Sequence, residues 1–176
     1  MIEGAPQGYS LWIIPPAPVY EKISVLIERF SKRFNTSRFE PHLTLLGGLD
    51  GKEEELNNKT KDFSKLCQPL TITLQRCDFL HQYFRCLFIN VNQTPALVRS
   101  YAEACRIFEK MPDLLFSPHI SLMYGEISRA QKYSLIYDEI GESVDLSFKA
   151  AGVNLMKTEG EVKYWKRVSC HLFRDA

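Results

Sequence analysis

The sequence lacks an excess of charge of either sign, a long apolar run and closely spaced cysteines. Its 22 Lys and Arg residues against 21 Asp and Glu residues leave a formal net charge of +1 over 176 residues. A chain with this balance has no overall field that would draw it to a nucleic-acid duplex or to an anionic membrane. Any anionic ligand must therefore be held by a few local side chains.

Long hydrophobic segments are also missing. No stretch approaches the ~18 consecutive apolar residues that a transmembrane helix needs. The first apolar run ends at Pro15 and Pro16, and residues 1–16 contain no basic n-region of the kind that begins a signal peptide. We therefore expect no membrane association, and a location in the cytoplasm or the nucleus.

The five cysteines include no C-x-x-C pair, and their odd number argues against a fully paired disulfide framework. They offer no zinc site of the usual spacing. We expect mostly buried, reduced thiols, with one disulfide bond left open by the sequence. With 45% apolar and 24% charged residues, the chain has the composition of one globular domain, which we expect to span residues 1–176.

Hydrophobic periodicity and turn residues predict the element order β α β α β β α β α β β. Asp50 is predicted to cap the second helix, and Thr94 with Pro95 to begin the third. The rough duplication of this order indicates an α+β fold with two similar lobes. The predicted strands cover residues 10–16, 42–46, 69–80, 83–91, 119–124, 143–160 and 161–173, and the predicted helices cover residues 20–34, 51–66, 95–110 and 128–140.

One decapeptide occurs twice in the chain. FEPHLTLLGG, which contains His42, reappears as FSPHISLMYG, which contains His119, with Phe, Pro, His, Leu and Gly at matching positions. In a β-strand, residues i and i+2 point to the same face. His42 and Thr44 should therefore share one face of their strand, as should His119 and Ser121, while the apolar residues between them point to the core.

Two such strands placed face to face would bring two imidazoles and two hydroxyls to one point, and this set suits a phosphate diester. The hydroxyls can donate to the non-bridging phosphoryl oxygens. One neutral imidazole can take a proton from attacking water, and one imidazolium can protonate the departing oxygen. Histidine has an ordinary pKa near 6.5, which allows both forms near neutral pH. Such a mechanism requires neither a metal nor a cofactor.

The remaining candidates favour structural roles. His81 is predicted to lie in a solvated hairpin turn, and His171 lies in a terminal strand with no hydroxyl two residues later. Arg38 is interpreted as a surface charge. Trp12 and Phe84 are interpreted as core aromatics, although either would complete a stacking platform beside the site.

The paired His-x-Thr and His-x-Ser motifs in an α+β chain resemble the signature of the 2H phosphoesterases. The segments YSLWIIPP, RFEPHLTLLGGL, YFRCLFINV and SPHISLMYGEIS are similar to the plant and yeast cyclic phosphodiesterases, so the resemblance covers most of the chain. It implies a bilobal fold with two pseudo-symmetric lobes. Each lobe would hold an antiparallel sheet with helices on the outside, and the active-site cleft would lie between the lobes.

The resemblance also implies roles for single residues. His42 and His119 would be the catalytic pair, and Thr44 and Ser121 would bind the phosphoryl oxygens, with no metal. Tyr124 would line the substrate site. In a regular strand Tyr124 would point away from His119, so this role requires the strand to end or bulge before it.

The implied reaction is hydrolysis of ADP-ribose 1″,2″-cyclic phosphate, of nucleoside 2′,3′-cyclic phosphates, or of both, to a 2′-phosphomonoester, downstream of tRNA splicing. The partner would be this small cyclic phosphate nucleotide, and we expect a monomer. Two alternatives stay open. One is an RNA-processing 2H enzyme that acts on 2′,5′ linkages or RNA 3′ ends, against which the lack of a basic stripe argues. The other is a nucleotide-binding module without turnover. The near-symmetry of the motifs leaves the acid and base assignments open.

Overall fold

A computed structural model describes residues 6–176, in which the elements follow the order β1 α1 β2 α2 β3 β4 α3 β5 α4 β6 β7 β8. The strands are β1 Tyr9–Ile13, β2 Leu43–Leu49, β3 Leu70–Asp78, β4 Leu87–Val91, β5 His119–Met123, β6 Ser147–Ala150, β7 Gly152–Lys157 and β8 Lys166–Leu172. The helices are α1 Val19–Phe34, α2 Glu53–Leu66, α3 Pro95–Ile107 and α4 Arg129–Ser134, which continues as a π-helical turn, Leu135–Ile140. Short 3₁₀ turns, Tyr83–Arg85 and Val162–Tyr164, precede β4 and β8.

All eight strands belong to one antiparallel sheet with the order β6-β3-β4-β5-β2-β1-β7-β8, so the predicted α+β class is confirmed. The expectation of a separate sheet in each lobe is wrong. Two four-stranded halves are joined where β2 pairs with β5, at Leu43 and Ile120. These two strands would otherwise be inner edges with unpaired backbone groups beside a buried apolar face, which is unfavourable.

The strand predicted over residues 143–160 is also wrong, because the structure divides it into two strands, β6 and β7. They are separated by Ala151 and pair with β3 and β1, respectively. β6 lies at one edge of the sheet, and β7 lies next to the opposite edge. Because one residue spans only about 3.5 Å, the sheet must curl until its two ends approach each other. The backbones are close here, since a Cβ at Gly152 would lie 2.7 Å from the carbonyl oxygen of His171.

The hairpin predicted from β3 and β4 is confirmed, but its connection is longer than the tight turn predicted at residues 81–82. Residues 79–86 join the two strands and include the 3₁₀ turn Tyr83–Arg85. The Leu80 N–H donates to the Arg85 carbonyl (2.9 Å) and closes this loop. The loop matters for function because it carries side chains toward the face of the sheet that holds the repeated motifs.

Thr94 caps α3 as predicted, since its side chain accepts a hydrogen bond from the Leu97 N–H (3.2 Å). The predicted cap at Asp50 is wrong. Gly51 has a φ of +146°, outside the helical region, so α2 begins only at Glu53. The acidic first turn of α2 remains and complements the helix dipole.

The helices cover the sheet with apolar stripes. α1 buries Ile23, Ile27 and Phe30 at the i, i+4, i+7 spacing of an amphipathic helix. α2 contacts β7 and β8, and α3 contacts β2 and β3. Within residues 6–176 no helix is long and apolar enough to cross a membrane.

All five cysteines are free thiols, which answers the disulfide question that the sequence left open. Four of them are buried and Cys170 is exposed. Burial raises the pKa of Cys67 to about 11 and the pKa of Cys77 to about 12. These two thiols are therefore protonated at neutral pH and serve as core side chains.

Candidate active site

A cleft of about 1380 Å³ opens along β2 and β5. All five residues that the sequence proposed for the site line it, namely His42, Thr44, His119, Ser121 and Tyr124. The folded chain thus brings together two motifs that lie far apart in sequence.

The pairing of β2 with β5 explains how four of these side chains share one face. Leu43 is paired with Ile120, and both side chains are fully buried on the core side of the sheet. In antiparallel strands the residues that flank such a pair point to the opposite face. This register places each histidine next to the hydroxyl residue of the other motif, around a local two-fold axis through the Leu43–Ile120 pair.

The His42 ring is held firmly on two sides. Its Nδ1 lies 2.6 Å from the carbonyl oxygen of Glu40, and because a carbonyl can only accept, this contact assigns the proton to Nδ1. The ring stacks on Trp12 with 3.4 Å between ring centroids and 5° between ring planes. His42 therefore has a fixed orientation, and its Nε2 keeps a free lone pair.

The His119 ring has the same tether but different neighbours. Its Nδ1 lies 2.9 Å from the carbonyl oxygen of Ser117, which is again the residue two positions upstream. The Arg85 guanidinium Nη2 lies 3.0 Å from that same oxygen and 3.2 Å from Nδ1 of His119. Phe88 contacts the ring edge-on, with 5.1 Å between centroids. A cation thus adjoins one imidazole of the pair.

Desolvation keeps both imidazoles neutral at neutral pH. Desolvation, with a smaller contribution from His119, lowers the pKa of His42 to about 3 against the opposing hydrogen bond to Glu40. Desolvation likewise lowers the pKa of His119 to about 4, with an added contribution from the charge of Arg85. Protonation of either ring therefore requires a compensating negative charge, such as a bound phosphate.

Two neutral imidazoles, the buried His42 and the half-buried His119, predict that acid destabilises the fold. The unfolded chain takes up protons near pH 6.5, above the pKa values of about 3 and about 4 for these two groups in the folded state, so unfolding is favoured as the pH falls. Between pH 7 and pH 5 we expect the free energy of unfolding to fall by about 2 kcal/mol per imidazole. Urea unfolding of the wild type and of His119→Asn at both pH values measures this contribution. Equal pH dependence in the two proteins would contradict it.

Tyr124 lies in the cleft because its strand ends one residue earlier. β5 stops at Met123, and Gly125 has a φ of +139°, so the strict alternation of side chains is interrupted there. The Tyr124 ring is almost fully buried and stacks on Phe39 with 3.8 Å between centroids. Burial raises the pKa of Tyr124, while a hydrogen bond with Ser121 opposes this shift. Its hydroxyl is therefore a neutral group beside the second motif.

Two aromatic residues, Trp12 and Phe84, combine the predicted packing against the core with a place in the wall of the cleft. Trp12, interpreted from the sequence as a core residue, is indeed buried, but it also lines the cleft beneath His42. Phe84 lines the cleft as well and stacks near Trp165, with 6.1 Å between centroids and 24° between planes. Phe84 and Trp165 are half-buried and offer apolar ring surface to the cleft, whereas Trp12 and Tyr124 are almost fully buried.

The sequence reasoning missed Arg85 and Trp165. Both stand beside 3₁₀ turns, the first at the end of the turn before β4 and the second just after the turn before β8. Their segments match strand patterns, so periodicity gave no sign that either side chain would reach the cleft. The one available signal was the dense run of aromatic and basic residues in each segment.

The other three residues considered from the sequence occupy positions that fit the structural or surface roles predicted for them. His81 is exposed at the rim of the cleft. His171 is not among the residues that line the cleft, and its Nε2 lies 2.9 Å from Oδ1 of Asn57. Arg38 is exposed and forms an ion pair with Glu28 at 3.6 Å.

An antiparallel sheet in which a His-x-Thr strand pairs with a His-x-Ser strand beneath one cleft defines the 2H phosphoesterase class. The fold is similar to that of TT0787 from Thermus thermophilus, with a TM-score of 0.69 at 16% identity over 96% of this chain and 98% of that chain. The structure of E. coli LigT complexed with 3′-AMP gives a TM-score of 0.64 at 14% identity over 97% of this chain and 99% of that chain.

The chain belongs to the cyclic phosphodiesterase-like protein family, whose sequence model matches residues 7–172. It is 27% identical to the cyclic phosphodiesterase of Arabidopsis thaliana over 174 residues, which cover 93% of this chain and 94% of that relative. The resemblance found in the sequence is therefore confirmed, and the protein is a phosphodiesterase of the hydrolase class.

Proposed function

We propose that this enzyme opens the ring of ADP-ribose 1″,2″-cyclic phosphate, of nucleoside 2′,3′-cyclic phosphates, or of both, by two-histidine general acid–base catalysis. The observation that carries the proposal is the matched tether of the two imidazoles. Nδ1 of His42 and Nδ1 of His119 are each held by the carbonyl two residues upstream, at 2.6 and 2.9 Å. Each ring thus reserves Nε2 for the substrate, and two such atoms in one cleft suit an in-line displacement.

In this mechanism water attacks phosphorus as one imidazole takes its proton, and a P–O bond forms. The bond from phosphorus to the 3′ (or 1″) oxygen breaks, and the other ring, as imidazolium, protonates that oxygen to leave a phosphomonoester. The Thr44 and Ser121 hydroxyls donate to the non-bridging oxygens, where negative charge grows. The anionic substrate itself favours the imidazolium, because an opposite charge nearby raises the pKa of an imidazole.

The shape of the cleft supports a nucleotide substrate. Its volume of about 1380 Å³ exceeds the range of about 300–1,000 Å³ common for small-molecule pockets. An extended substrate such as an ADP-ribose derivative, which carries a ribose, a pyrophosphate and an adenosine beyond its cyclic phosphate, therefore has room in the cleft. Structures of the fold relative E. coli LigT exist in complex with 3′-AMP, with ATP and with NADP+. They support a cleft that has room for a mononucleotide or for a larger dinucleotide.

We further propose that residues 1–176 act as one domain and as a monomer, in the cytoplasm or the nucleus, with processing of RNA-derived cyclic phosphates as the setting. The proposed steps use imidazole and hydroxyl groups alone. In the part of the chain that the structure describes, no group of three or more His, Cys, Asp or Glu side chains could hold a metal ion. The assay is therefore designed to run with and without EDTA.

Product analysis by ³¹P NMR tests this function. The protein is incubated with ADP-ribose 1″,2″-cyclic phosphate, with a nucleoside 2′,3′-cyclic phosphate and with a 2′,5′-linked dinucleotide, each with and without EDTA. We expect the cyclic phosphates to give a monoester resonance at equal rates in both conditions. If both cyclic phosphates stay intact, the proposal fails, and cleavage of the 2′,5′ linkage alone would instead identify an RNA-processing enzyme.

Removal of either hydroxyl should lower kcat/KM less than removal of a histidine does. A hydrogen bond to a charged group contributes about 1.5–3 kcal/mol, so we expect Thr44→Val and Ser121→Ala each to lower kcat/KM by about 10- to 100-fold. Thr71→Val, an exposed position in β3, is the matched control and should leave kcat/KM unchanged. Steady-state kinetics on the cyclic phosphate measure all three variants, and a Thr44→Val enzyme with wild-type kcat/KM would contradict phosphoryl binding by that residue.

A further inference from the structure

Equivalent positions after the two motifs carry very different side chains. Three residues after the hydroxyl, the second motif has Tyr124 and the first has Gly47, and both positions line the cleft. A register shift between β1 and β2, near Thr44 and Leu46, interrupts the alternation along β2 as the end of β5 does before Tyr124. The local two-fold axis is therefore broken where one strand presents a large ring and the other presents no side chain.

The side of the cleft at Tyr124 is closed by aromatic packing. The Tyr124 ring is almost fully buried and stacks on Phe39 with 3.8 Å between centroids. Phe84 meets the same ring edge-on, with 5.1 Å between centroids. A substrate that extends beyond the two histidines therefore has its free path on the opposite side, over Gly47.

Gly47 has no backbone reason to be glycine. Its φ lies outside the left-handed region, and a Cβ built on it would lie 3.6 Å from Oγ of Ser10 and 3.6 Å from Cγ2 of Thr44, which are ordinary contact distances. The neighbouring Gly48 differs, because its φ of +62° favours glycine. The missing side chain at Gly47 therefore leaves the cleft open beside Thr44 although the fold does not require it.

Two hydroxyls and one ammonium group surround this opening. Ser10 and Thr158 line the cleft and are almost fully buried, and their hydroxyl oxygens lie 2.9 Å apart. At the rim, Nζ of Lys110 donates to the carbonyls of Gly47 and Gly48, at 2.6 Å each. The opening is thus lined by groups that bind anions rather than by further aromatic rings.

The charge of Lys110 is available to a ligand. Among residues 6–176 no carboxylate forms an ion pair with its Nζ. An ammonium has three N–H donors, so the two carbonyls leave one donor unused. Nζ lies 3.0 Å from the place that a Cβ on Gly48 would occupy, and Gly48 lines the cleft. A ligand that lies over the two glycines therefore comes within reach of this charge.

We propose that Ser10, Gly47 and Lys110 form a subsite for a second phosphate, carried on the 5′ oxygen of the ribose whose cyclic phosphate lies between the histidines. An ammonium with nearby hydroxyls is a suitable partner for a phosphate. Thr44 and Gly47 are separated by about 10 Å of strand, which is the scale of one ribose with a phosphate at each end. The subsite rests on the proposed function, because that function places the cyclic phosphate.

This subsite defines a substrate class, namely ribose cyclic phosphates with a phosphorylated 5′ oxygen. ADP-ribose 1″,2″-cyclic phosphate belongs to the class, since its cyclic ribose carries a pyrophosphate at the 5″ position. A nucleoside 2′,3′-cyclic phosphate with a free 5′-hydroxyl does not belong to it. The enzyme should therefore distinguish two substrates that differ only in a 5′-phosphate.

Steady-state kinetics on adenosine 2′,3′-cyclic phosphate and on its 5′-phosphorylated form test the subsite. We expect the 5′-phosphate to raise wild-type kcat/KM by about tenfold, through a lower KM. Lys110→Met should abolish this preference, and Lys110→Arg, which keeps a charge, should retain most of it. Lys149→Met, at an exposed position of β6 that does not line the cleft, is the matched control and should keep the full preference. A wild type without the preference, or Lys110→Met with it, overturns the subsite.

Substitution of Gly47 tests the opening separately from the charge. Gly47→Val fills the space, so we expect it to lower kcat/KM at least tenfold more for the 5′-phosphorylated substrate than for the unphosphorylated one. Gly47→Ala adds a methyl group at ordinary contact distances and should lower the preference less. Equal losses on both substrates in Gly47→Val would contradict a path for the substrate over this residue.

Binding of product-like nucleotides gives a readout that does not depend on turnover. Isothermal titration calorimetry compares adenosine 2′,5′-bisphosphate with adenosine 2′-monophosphate in the wild type, Lys110→Met and Lys149→Met. We expect the bisphosphate to bind about tenfold more tightly to the wild type and to Lys149→Met, but not to Lys110→Met. If neither cyclic phosphate is hydrolysed, the proposed function fails, while these affinities still decide whether the subsite exists. Equal wild-type affinities for the two nucleotides overturn it.

Discussion

His42→Ala and His119→Ala are each expected to lower kcat/KM for a nucleoside 2′,3′-cyclic phosphate by about 10²–10⁴-fold. In the proposed mechanism each variant loses one of two proton-transfer groups, and both proton transfers belong to the same displacement. Because neither proton transfer is useful without the other, the double variant should have a kcat/KM only slightly below that of either single variant. Initial rates in EDTA, followed by ³¹P NMR, measure all three.

The controls for this prediction come from the chain itself. His81→Ala removes an imidazole from the exposed rim of the same cleft and should leave kcat/KM unchanged. Because His42 is buried against Trp12, its removal also creates a void, so His42→Gln is added as a variant of closer volume. Thermal unfolding checks that each protein is folded. A folded His119→Ala enzyme within tenfold of wild-type kcat/KM would contradict the two-histidine mechanism.

The centre of the candidate site could be predicted from sequence because it depends on local rules. Alternation along a strand places His42 with Thr44, and it separates them from Leu43, whatever the rest of the fold does. The repetition of the motif then implied that the two strands meet. Their direct pairing at Leu43 and Ile120 was not predictable, because strand order depends on long-range contacts that no periodicity encodes.

The surroundings of the site were harder to predict for a related reason. Arg85 and Trp165 reach the cleft through 3₁₀ turns that interrupt stretches with strand-like patterns. A 3₁₀ turn of three residues is too short to leave a periodic signature. The division of residues 143–160 into β6 and β7 was missed for another reason. The chain changes its pairing partner within one residue, and the local sign is only a shift of the buried alternation from Phe148 and Ala150 to Val153 and Leu155.

The second large effect is expected at the pair that joins the two halves of the sheet. Leu43 is fully buried, and it lies on the core side of the strand whose other face carries His42 and Thr44. We expect Leu43→Ala to lower the free energy of unfolding by about 2–5 kcal/mol, through lost apolar burial and the cavity left behind. Leu155→Ala is the matched control, since Leu155 is equally buried but lies in β7 and does not line the cleft. This variant should lose a similar amount of unfolding free energy.

The two variants should differ in catalysis although they match in stability. In Leu43→Ala the contact that fixes β2 against β5 is weakened, and each histidine depends on that register for its place beside the hydroxyl of the other motif. A displacement near 1 Å can lower a rate by about 10²-fold, so at a temperature where both proteins are folded we expect at least a tenfold lower kcat/KM for Leu43→Ala than for Leu155→Ala. Urea unfolding and kinetics on the same preparations measure both quantities. Equal kcat/KM in the two variants would show that the site is held by its backbone tethers alone, and that the core beneath the Leu43–Ile120 pair contributes to stability without positioning the imidazoles.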